Sequence, residues 1–137
     1  RKVGDSGKII GEYSFFKKGI EPEWGDPKNC IGGEWFCRQS FDADQLDLYW
    51  ENLLMGCIGE TIEDGSFKGK RELDIVNGAR VVDKSRNFPL FRLELWVSTR
   101  DEDLKAKLLK QLEQIVTDGQ QSHMKTTPKF DWKDHSA

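Results

Sequence analysis

Two segments of the chain carry apolar residues at the spacing of an amphipathic helix. The first is DADQLDLYWENLLMGCIGE, where Asp42 or Asp44 is suited to cap the helix N-terminus. The second is DEDLKAKLLKQLEQIVTDG, where Asp118-Gly119 provides a stop signal. The apolar positions are Leu46, Trp50, Leu53, Leu54, Cys57 and Ile58 in the first segment, and Leu104, Leu108, Leu109, Leu112, Ile115 and Val116 in the second. Each pattern predicts a helix that buries one face.

Three further segments are candidate strands: EWFCRQSF, ELDIVNGARVV and LFRLELWVS. The first and third alternate between apolar and polar residues, as half-buried strands do, whereas the second predicts a strand pair or a single bulged strand. Gly78 marks an irregularity in the second segment, and DKSRNFP reads as a turn before the third. In the third, the apolar face leaves Arg92, Glu94 and Trp96 on the polar side. Strands and helices together predict an α+β domain, with helices packed on one face of an antiparallel sheet.

Length and composition suit one soluble globular domain over residues 1–137. The chain is 33% charged and 36% apolar, and no apolar run is long enough to span a bilayer. The N-terminal residues contain no apolar signal region, so we expect a cytoplasmic protein without a membrane association. The polar ends, residues 1–14 and 124–137, are expected to be mobile.

The residue types argue against catalysis and against a bound metal or cofactor. Cys30, Cys37 and Cys57 have no CxxC spacing, which favours reduced thiols, and His123 and His135 have no partner at metal-ligand spacing. No P-loop, G-x-G-x-x-G or G-x-S-x-G motif occurs. With a net charge of −3, the chain is also unsuited to coating long nucleic acids, so any such role requires a compact local site.

An unusual tryptophan lies in the middle of the segment GIEPEWGDPKNCIGGEW. Prolines and glycines break any regular element here, yet Trp24 places an indole in the loop. Trp96 is the second indole that a core accommodates poorly. Basic residues lie between and beside them, namely Arg80, Lys84, Arg86 and Arg92. Aromatic faces with nearby cations suit a nucleotide ring and its phosphates, whereas the alternative is packed indoles and solvated cations.

Several ordered blocks resemble the eukaryotic translation initiation factor 4E family, the messenger-RNA cap-binding proteins. The blocks are YSFFKKGIEPEWGDPKN, GGEW, YWENLL, IGE, NGARVV and LELW, and QQSHMKTT is similar to the family's C-terminal cap-proximal loop. The strongest run extends from Tyr13 to Trp35, and the match continues more loosely to about Ser122.

The resemblance implies a curved antiparallel sheet with helices on its convex side. It implies that 7-methylguanine stacks between two tryptophans on the concave side. Trp24 matches one stacking indole, and its backbone N–H would meet the guanine O6. Trp96 matches the tryptophan that touches the N7-methyl group. The matching cations are Lys84 and Arg92 for the triphosphate, with Arg86 and Arg80 as less well-matched neighbours.

Three departures from the family pattern concern the cap site. Gly25 replaces a glutamate that accepts hydrogen bonds from guanine N1 and N2, although Asp26 or Glu23 could substitute. Glu34 replaces a basic residue and would repel phosphate. No tryptophan precedes Trp24, so the second stacking indole and the N-terminal part of the family domain are absent from this sequence.

The resemblance also implies a protein partner on the first predicted helix. There the family binds an amphipathic helical motif of scaffold subunits and 4E-binding repressors. The corresponding positions here are Trp50, Glu51, Asn52, Met55 and Gly59, although Trp50 and Trp35 also suit the core. Two hypotheses follow: a non-enzymatic cap reader in translation initiation or its regulation, or a 4E-fold interaction module with weakened or lost cap binding.

Overall fold

Five strands form one antiparallel sheet in the computed structural model, which describes residues 12–62, 75–120 and 128–135. The strands are β1 (Glu12–Phe16), β2 (Gly33–Gln39), β3 (Val76–Asp83), β4 (Phe91–Val97) and β5 (Asp131–Asp134). Their order across the sheet is β1-β3-β4-β2-β5. All four neighbouring pairs are antiparallel, and β3 has a register shift between Val76 and Gly78, where the sequence predicts an irregularity.

In the described part of the chain, the sheet is accompanied by helices α1 (Pro27–Cys30), α2 (Ala43–Ile58) and α3 (Glu102–Val116). Asp42, not Asp44, caps α2, because its side chain accepts from the Gln45 backbone N–H while the Gln45 side chain reaches back in a capping box. Asp101 caps α3 by accepting from the Leu104 backbone N–H. Past α3, Gly119 takes a positive φ of 78°, in agreement with the predicted stop.

The core lies between one face of the sheet and helices α2 and α3. Its members alternate along the strands and recur at helical spacing along the helices, as the two periodicities predict. Fully buried examples are Leu46, Leu53, Leu93, Leu95, Leu108 and Leu112. The opposite face of the sheet carries charged side chains on β2, β3 and β4. The predicted α+β class, a curved antiparallel sheet with helices on one face, is confirmed.

The C-terminal range that is expected to be mobile includes a strand. Asp131–Asp134 form the edge strand β5, which pairs with β2 from Phe36↔Asp131 to Gly33↔Asp134. Trp132 packs against Trp35 with ring centroids 5.3 Å apart, and Lys105 Nζ lies 4.4 Å from the centre of the Trp132 ring. This half-buried indole on the helix side of the sheet stabilises the pairing of β5 with β2. Similarly, β1 begins at Glu12, inside the N-terminal range expected to be mobile.

The described residues meet neither the requirements of a membrane-spanning helix nor those of a metal centre. Over residues 12–62, 75–120 and 128–135, no helix has the length and apolar character to cross a bilayer. Within the same ranges, no group of three or more His, Cys, Asp or Glu side chains is arranged to hold a metal ion.

Candidate functional site

The loop that carries Trp24 is held by two polar side chains. Both carboxylate oxygens of Asp26 accept backbone hydrogen bonds, Oδ1 from Lys28 and Oδ2 from Glu21, each at 2.9 Å. These bonds lower the pKa of Asp26. The amide nitrogen of buried Asn29 donates to the carbonyls of Glu21 at 2.7 Å and Glu23 at 2.8 Å. The loop therefore presents its indole from a fixed frame, and Trp24 remains 41% exposed.

A buried asparagine pair anchors this loop to the sheet. Asn77 on β3 donates from Nδ2 to Asn29 Oδ1 at 2.9 Å and to the Lys28 carbonyl at 3.0 Å. The Asn77 carbonyl in turn accepts from the Lys17 backbone N–H at 2.8 Å. Because buried amides need such partners, the pair fixes the position of the loop relative to β3.

The polar face of the sheet contains a cluster of buried charges. Arg92 donates to Glu34 Oε1 at 2.7 Å and to Glu94 Oε2 at 2.6 Å. Glu34 is 1% exposed and Glu94 is 4% exposed, which is rare for carboxylates without partners. Arg80 extends the cluster, 3.9 Å from Glu94 and 3.1 Å from Glu12.

The pKa values of this cluster shift in different directions. Burial opposes ionisation of Glu34, but hydrogen bonds from His135 and Arg92 outweigh it and lower the Glu34 pKa. Burial, together with the neighbouring Glu34 charge, raises the pKa of Glu94. Burial also opposes the charge of Arg92, yet its bonds to the two carboxylates raise its pKa. Arg92 therefore stays charged, and the carboxylates of Glu34 and Glu94 neutralise its charge within the protein.

His135 is the residue at this site that sequence reasoning missed. Its ring is 1% exposed, and Nε2 lies 2.7 Å from Glu34 Oε2. The ring stacks on Trp24 with centroids 5.7 Å apart and planes 19° apart, and its centroid lies 4.4 Å from that of Trp96. Among the residues that the structure describes, its Nδ1 has no hydrogen-bond partner, an arrangement that costs about 1–3 kcal/mol. The available signal was the alternation of Phe130 and Trp132 with polar neighbours, which is typical of a strand.

The backbone around His135 is fastened by Arg100. The His135 N–H donates to the Gly32 carbonyl at 2.9 Å, and the Arg100 guanidinium donates to the carbonyls of His135 and Gly32. One residue earlier on β5, Lys133 places Nζ 4.2 Å from the centre of the Trp24 ring. Lys133 is a cation beside the exposed indole, and it was not identified from the sequence.

Trp96 lies on the polar side of β4, as its alternation predicts, but it is fully packed. It is 1% exposed, and Nε1 donates to Glu94 Oε1 at 2.8 Å. Phe16 meets its ring edge-on at 5.1 Å, and Arg80 lies 6.0 Å from its centre. The Trp96 side chain therefore packs against the charge cluster and does not provide an open stacking surface.

The remaining predicted site residues lie in the turn between β3 and β4, on β4 and on the loop that carries Trp24. Lys84 and Arg86 are exposed in the turn between β3 and β4, whereas Arg92 is locked between two carboxylates. Gly25 is exposed beside Trp24, and a Cβ built there meets no atom within 4 Å. Asp26 uses both oxygens on the loop backbone, so the expectation that it substitutes for the family glutamate is not supported. The predicted cap-proximal loop spans residues 120–127, and all of it after Gln120, including His123, lies outside the described residues.

The proposed partner face of α2 is divided between packed and exposed side chains. Trp50 is 5% exposed and belongs to the core, as the sequence also allowed. Asn52 donates to the carbonyls of Val116 at 2.8 Å and Asp118 at 2.9 Å, so it fastens α2 to the end of α3. Gly59 caps the helix, and Glu51 is exposed. Met55 is 63% exposed, and so, at 53%, is Ile58, which the sequence assigned to the buried stripe.

Comparison with known proteins places this geometry in a family. The family model for eukaryotic initiation factor 4E matches residues 5–137. The chain is 33% identical over 98 residues to eukaryotic translation initiation factor 4E-2 of Schizosaccharomyces pombe, covering 71% of this chain and 36% of the relative. It is 31% identical over 111 residues to eukaryotic translation initiation factor 4E of Candida albicans, covering 79% of this chain and 48% of the relative. The chain thus spans between a third and a half of these relatives' length.

Solved structures of eIF4E proteins are also similar to this chain. A crystal structure of Ascaris suum eIF4E-3 in complex with m7G cap aligns with a TM-score of 0.73 and 27% identity, over 97% of this chain and 67% of that one. The complex of Caenorhabditis elegans eIF4E-3 with the 4E-binding protein Mextli aligns with a TM-score of 0.72 at 24% identity, over 97% of this chain and 70% of that one. The second likeness concerns the fold alone.

Proposed function

Because the chain belongs to the eukaryotic initiation factor 4E family, we propose that it binds the 7-methylguanosine cap of mRNA in translation initiation or its regulation. The role is non-enzymatic binding, and we expect it in the cytoplasm. The observation that carries the proposal is Trp24, an exposed indole on a loop that Asp26 and Asn29 hold rigidly. A methylated guanine is cationic, so it stacks on an indole more strongly than a neutral base does.

Charges around Trp24 support a nucleotide as the ligand. Lys133 lies beside the indole, and Lys84 and Arg86 are exposed in the turn between β3 and β4. We assign the triphosphate to these exposed cations, since mobile ammonium and guanidinium groups can meet phosphate oxygens without losing another partner. Arg92 would contribute less, because Glu34 and Glu94 already offset its charge.

The test is a titration of the protein with 7-methyl-GTP, followed by tryptophan fluorescence and by retention on the immobilised nucleotide. Trp24→Ala is expected to weaken binding by about 1–3 kcal/mol, the value of one base–aromatic stack. Phe88→Ala is the matched control, because Phe88 is another exposed aromatic, 60% accessible, in the turn before β4. Equal binding by the parent and the Trp24→Ala variant would refute the stacking role.

A second candidate function is a protein-interaction module with weakened cap binding. The offset charge of Arg92 and the absence of a side chain at Gly25 favour it. We propose the exposed positions of α2, chiefly Met55 with Glu51 and Ile58, as the surface for a helical motif of a scaffold subunit or a 4E-binding protein. The complex of Caenorhabditis elegans eIF4E-3 with Mextli and a cap analog, which is 25% identical to this chain, motivates the choice of partner.

The two functions separate in a paired binding assay. A peptide carrying a 4E-binding helical motif is titrated into the parent protein and into Met55→Glu, which places a charge on the proposed apolar contact. Ile31→Glu is the control, since Ile31 is 58% exposed at the end of α1. Peptide binding without any 7-methyl-GTP binding would establish the interaction module in place of the cap reader.

A further inference from the structure

The ring of His135 stacks on Trp24, the indole on which the proposed base would also stack. Its plane is within 19° of the Trp24 plane, and its Nε2 meets a buried carboxylate oxygen of Glu34 at 2.7 Å. An aromatic ring that stacks on an indole and shares a proton with a carboxylate has the contacts that a guanine would need here. The imidazole therefore resembles a small internal substitute for the base.

We propose that Glu34 is the acceptor that reads the N–H edge of the base, and that His135 occupies this place until a ligand displaces it. The proposal rests on the cap-binding function proposed above. It identifies a carboxylate that determines specificity for guanine. The glycine at position 25 has no side chain that could accept these hydrogen bonds. It also assigns to His135 the role of competing with the base for Trp24 and Glu34.

The distance between the Trp24 and His135 rings explains why His135 would have to be displaced. A base between two flanking rings needs about 3.5 Å on each side, or about 7 Å in all. The Trp24 and His135 centroids are only 5.7 Å apart, so both rings cannot flank a base in their present positions. His135 must leave the Trp24 face before a base can stack on it.

Two features make Glu34 suitable for the task and His135 a replaceable occupant. Glu34 holds Arg92 through Oε1, which leaves Oε2 for the ring that stacks on Trp24. His135 leaves its Nδ1 without a partner among the described residues, whereas a guanine presents two adjacent N–H donors on the edge that would face Glu34. Two other carboxylates of the site are less suited: Asp26 is bound to the loop backbone, and Glu94 is bound by Arg92 and Trp96.

The first experiment measures 7-methyl-GTP affinity in the parent and in His135→Ala. Removing a competing occupant that fills nine-tenths of the sites would tighten binding about tenfold, because the apparent affinity scales with the open fraction. Quenching of Trp24 by acrylamide in the absence of nucleotide should increase in the same variant. Weaker or unchanged nucleotide binding by His135→Ala would overturn the competing role.

The second experiment compares 7-methyl-GTP with 7-methyl-inosine triphosphate, which has the same stacking ring and phosphates but lacks the exocyclic amine. The parent should prefer the guanine compound, and Glu34→Gln should bring the ratio of the two affinities close to one. Glu94→Gln, which also removes a charge from Arg92, should leave the ratio unchanged. Adding Gly25→Glu to Glu34→Gln should restore the preference, since a side chain at residue 25 meets open space.

These outcomes distinguish the inference from the proposed function. If neither the parent nor His135→Ala binds 7-methyl-GTP, both the cap-binding function and the inference fail. If the parent binds and Glu34→Gln keeps the full preference for guanine, cap binding stands and the role of Glu34 is refuted.

Discussion

Arg92→Met tests whether the charge cluster on the polar face is a structural unit. The substitution keeps much of the side-chain length but removes the guanidinium that bridges Glu34 at 2.7 Å and Glu94 at 2.6 Å. Both carboxylates are at least 95% buried, so water cannot replace the lost partner. Removing one member of a buried ion pair typically costs 3–5 kcal/mol, and we expect a loss of about that size in the free energy of unfolding.

The loss should depend on pH in a defined direction. Without Arg92, burial and mutual repulsion raise the folded-state pKa of the two carboxyls above the unfolded value of about 4.3. Groups with a raised folded pKa favour the fold below the unfolded pKa, and that contribution disappears as the pH rises through the folded pKa. The stability difference between parent and variant should therefore be larger at pH 7.5 than at pH 5.

Urea unfolding followed by circular dichroism at the two pH values measures this difference. Arg38→Met is the matched control, because Arg38 lies opposite Arg92 in the β2–β4 register but is exposed. Its effect should stay within about 0.5 kcal/mol. A loss below about 1 kcal/mol in Arg92→Met at pH 7.5, or an equal loss at both pH values, would refute a closed ion cluster.

Three smaller predictions concern other parts of the chain. Asn29→Ala should destabilise the fold by about 1–3 kcal/mol in urea unfolding, because it leaves a buried amide without its partner; no change would argue against the anchored loop. Asn52→Ala should lower stability by about 1 kcal/mol yet leave partner-peptide affinity unchanged, in contrast to Met55→Glu. Burial raises the pKa of Cys37 to about 12, so iodoacetamide at pH 8 should label half-buried Cys30 but not Cys37 until the protein is denatured, as mass spectrometry of the digested protein would show.

Local patterning predicted α2, α3, β2, β3 and β4, because it depends on periodicity and on neighbours within one turn. The helical stripe of α3 and the alternation of β4 each bury one face, and each element forms where its pattern predicts. The capping box of Asp42 and the irregularity at Gly78 are also short-range features. The exposed indole of Trp24 followed from the glycines and prolines around it.

The site itself depends on contacts between residues far apart in the chain. Glu34 meets His135 across 101 positions and Arg92 across 58, and both pairings exist because β2 lies between β5 and β4. In the sequence, Arg92 is one of several cations and His135 is a histidine without a partner. Only the sheet register shows that two carboxylates neutralise Arg92 and that His135 stacks on one face of Trp24. Charge offset and ring stacking act through space, so the tertiary structure decided which predicted ligand residues remain available.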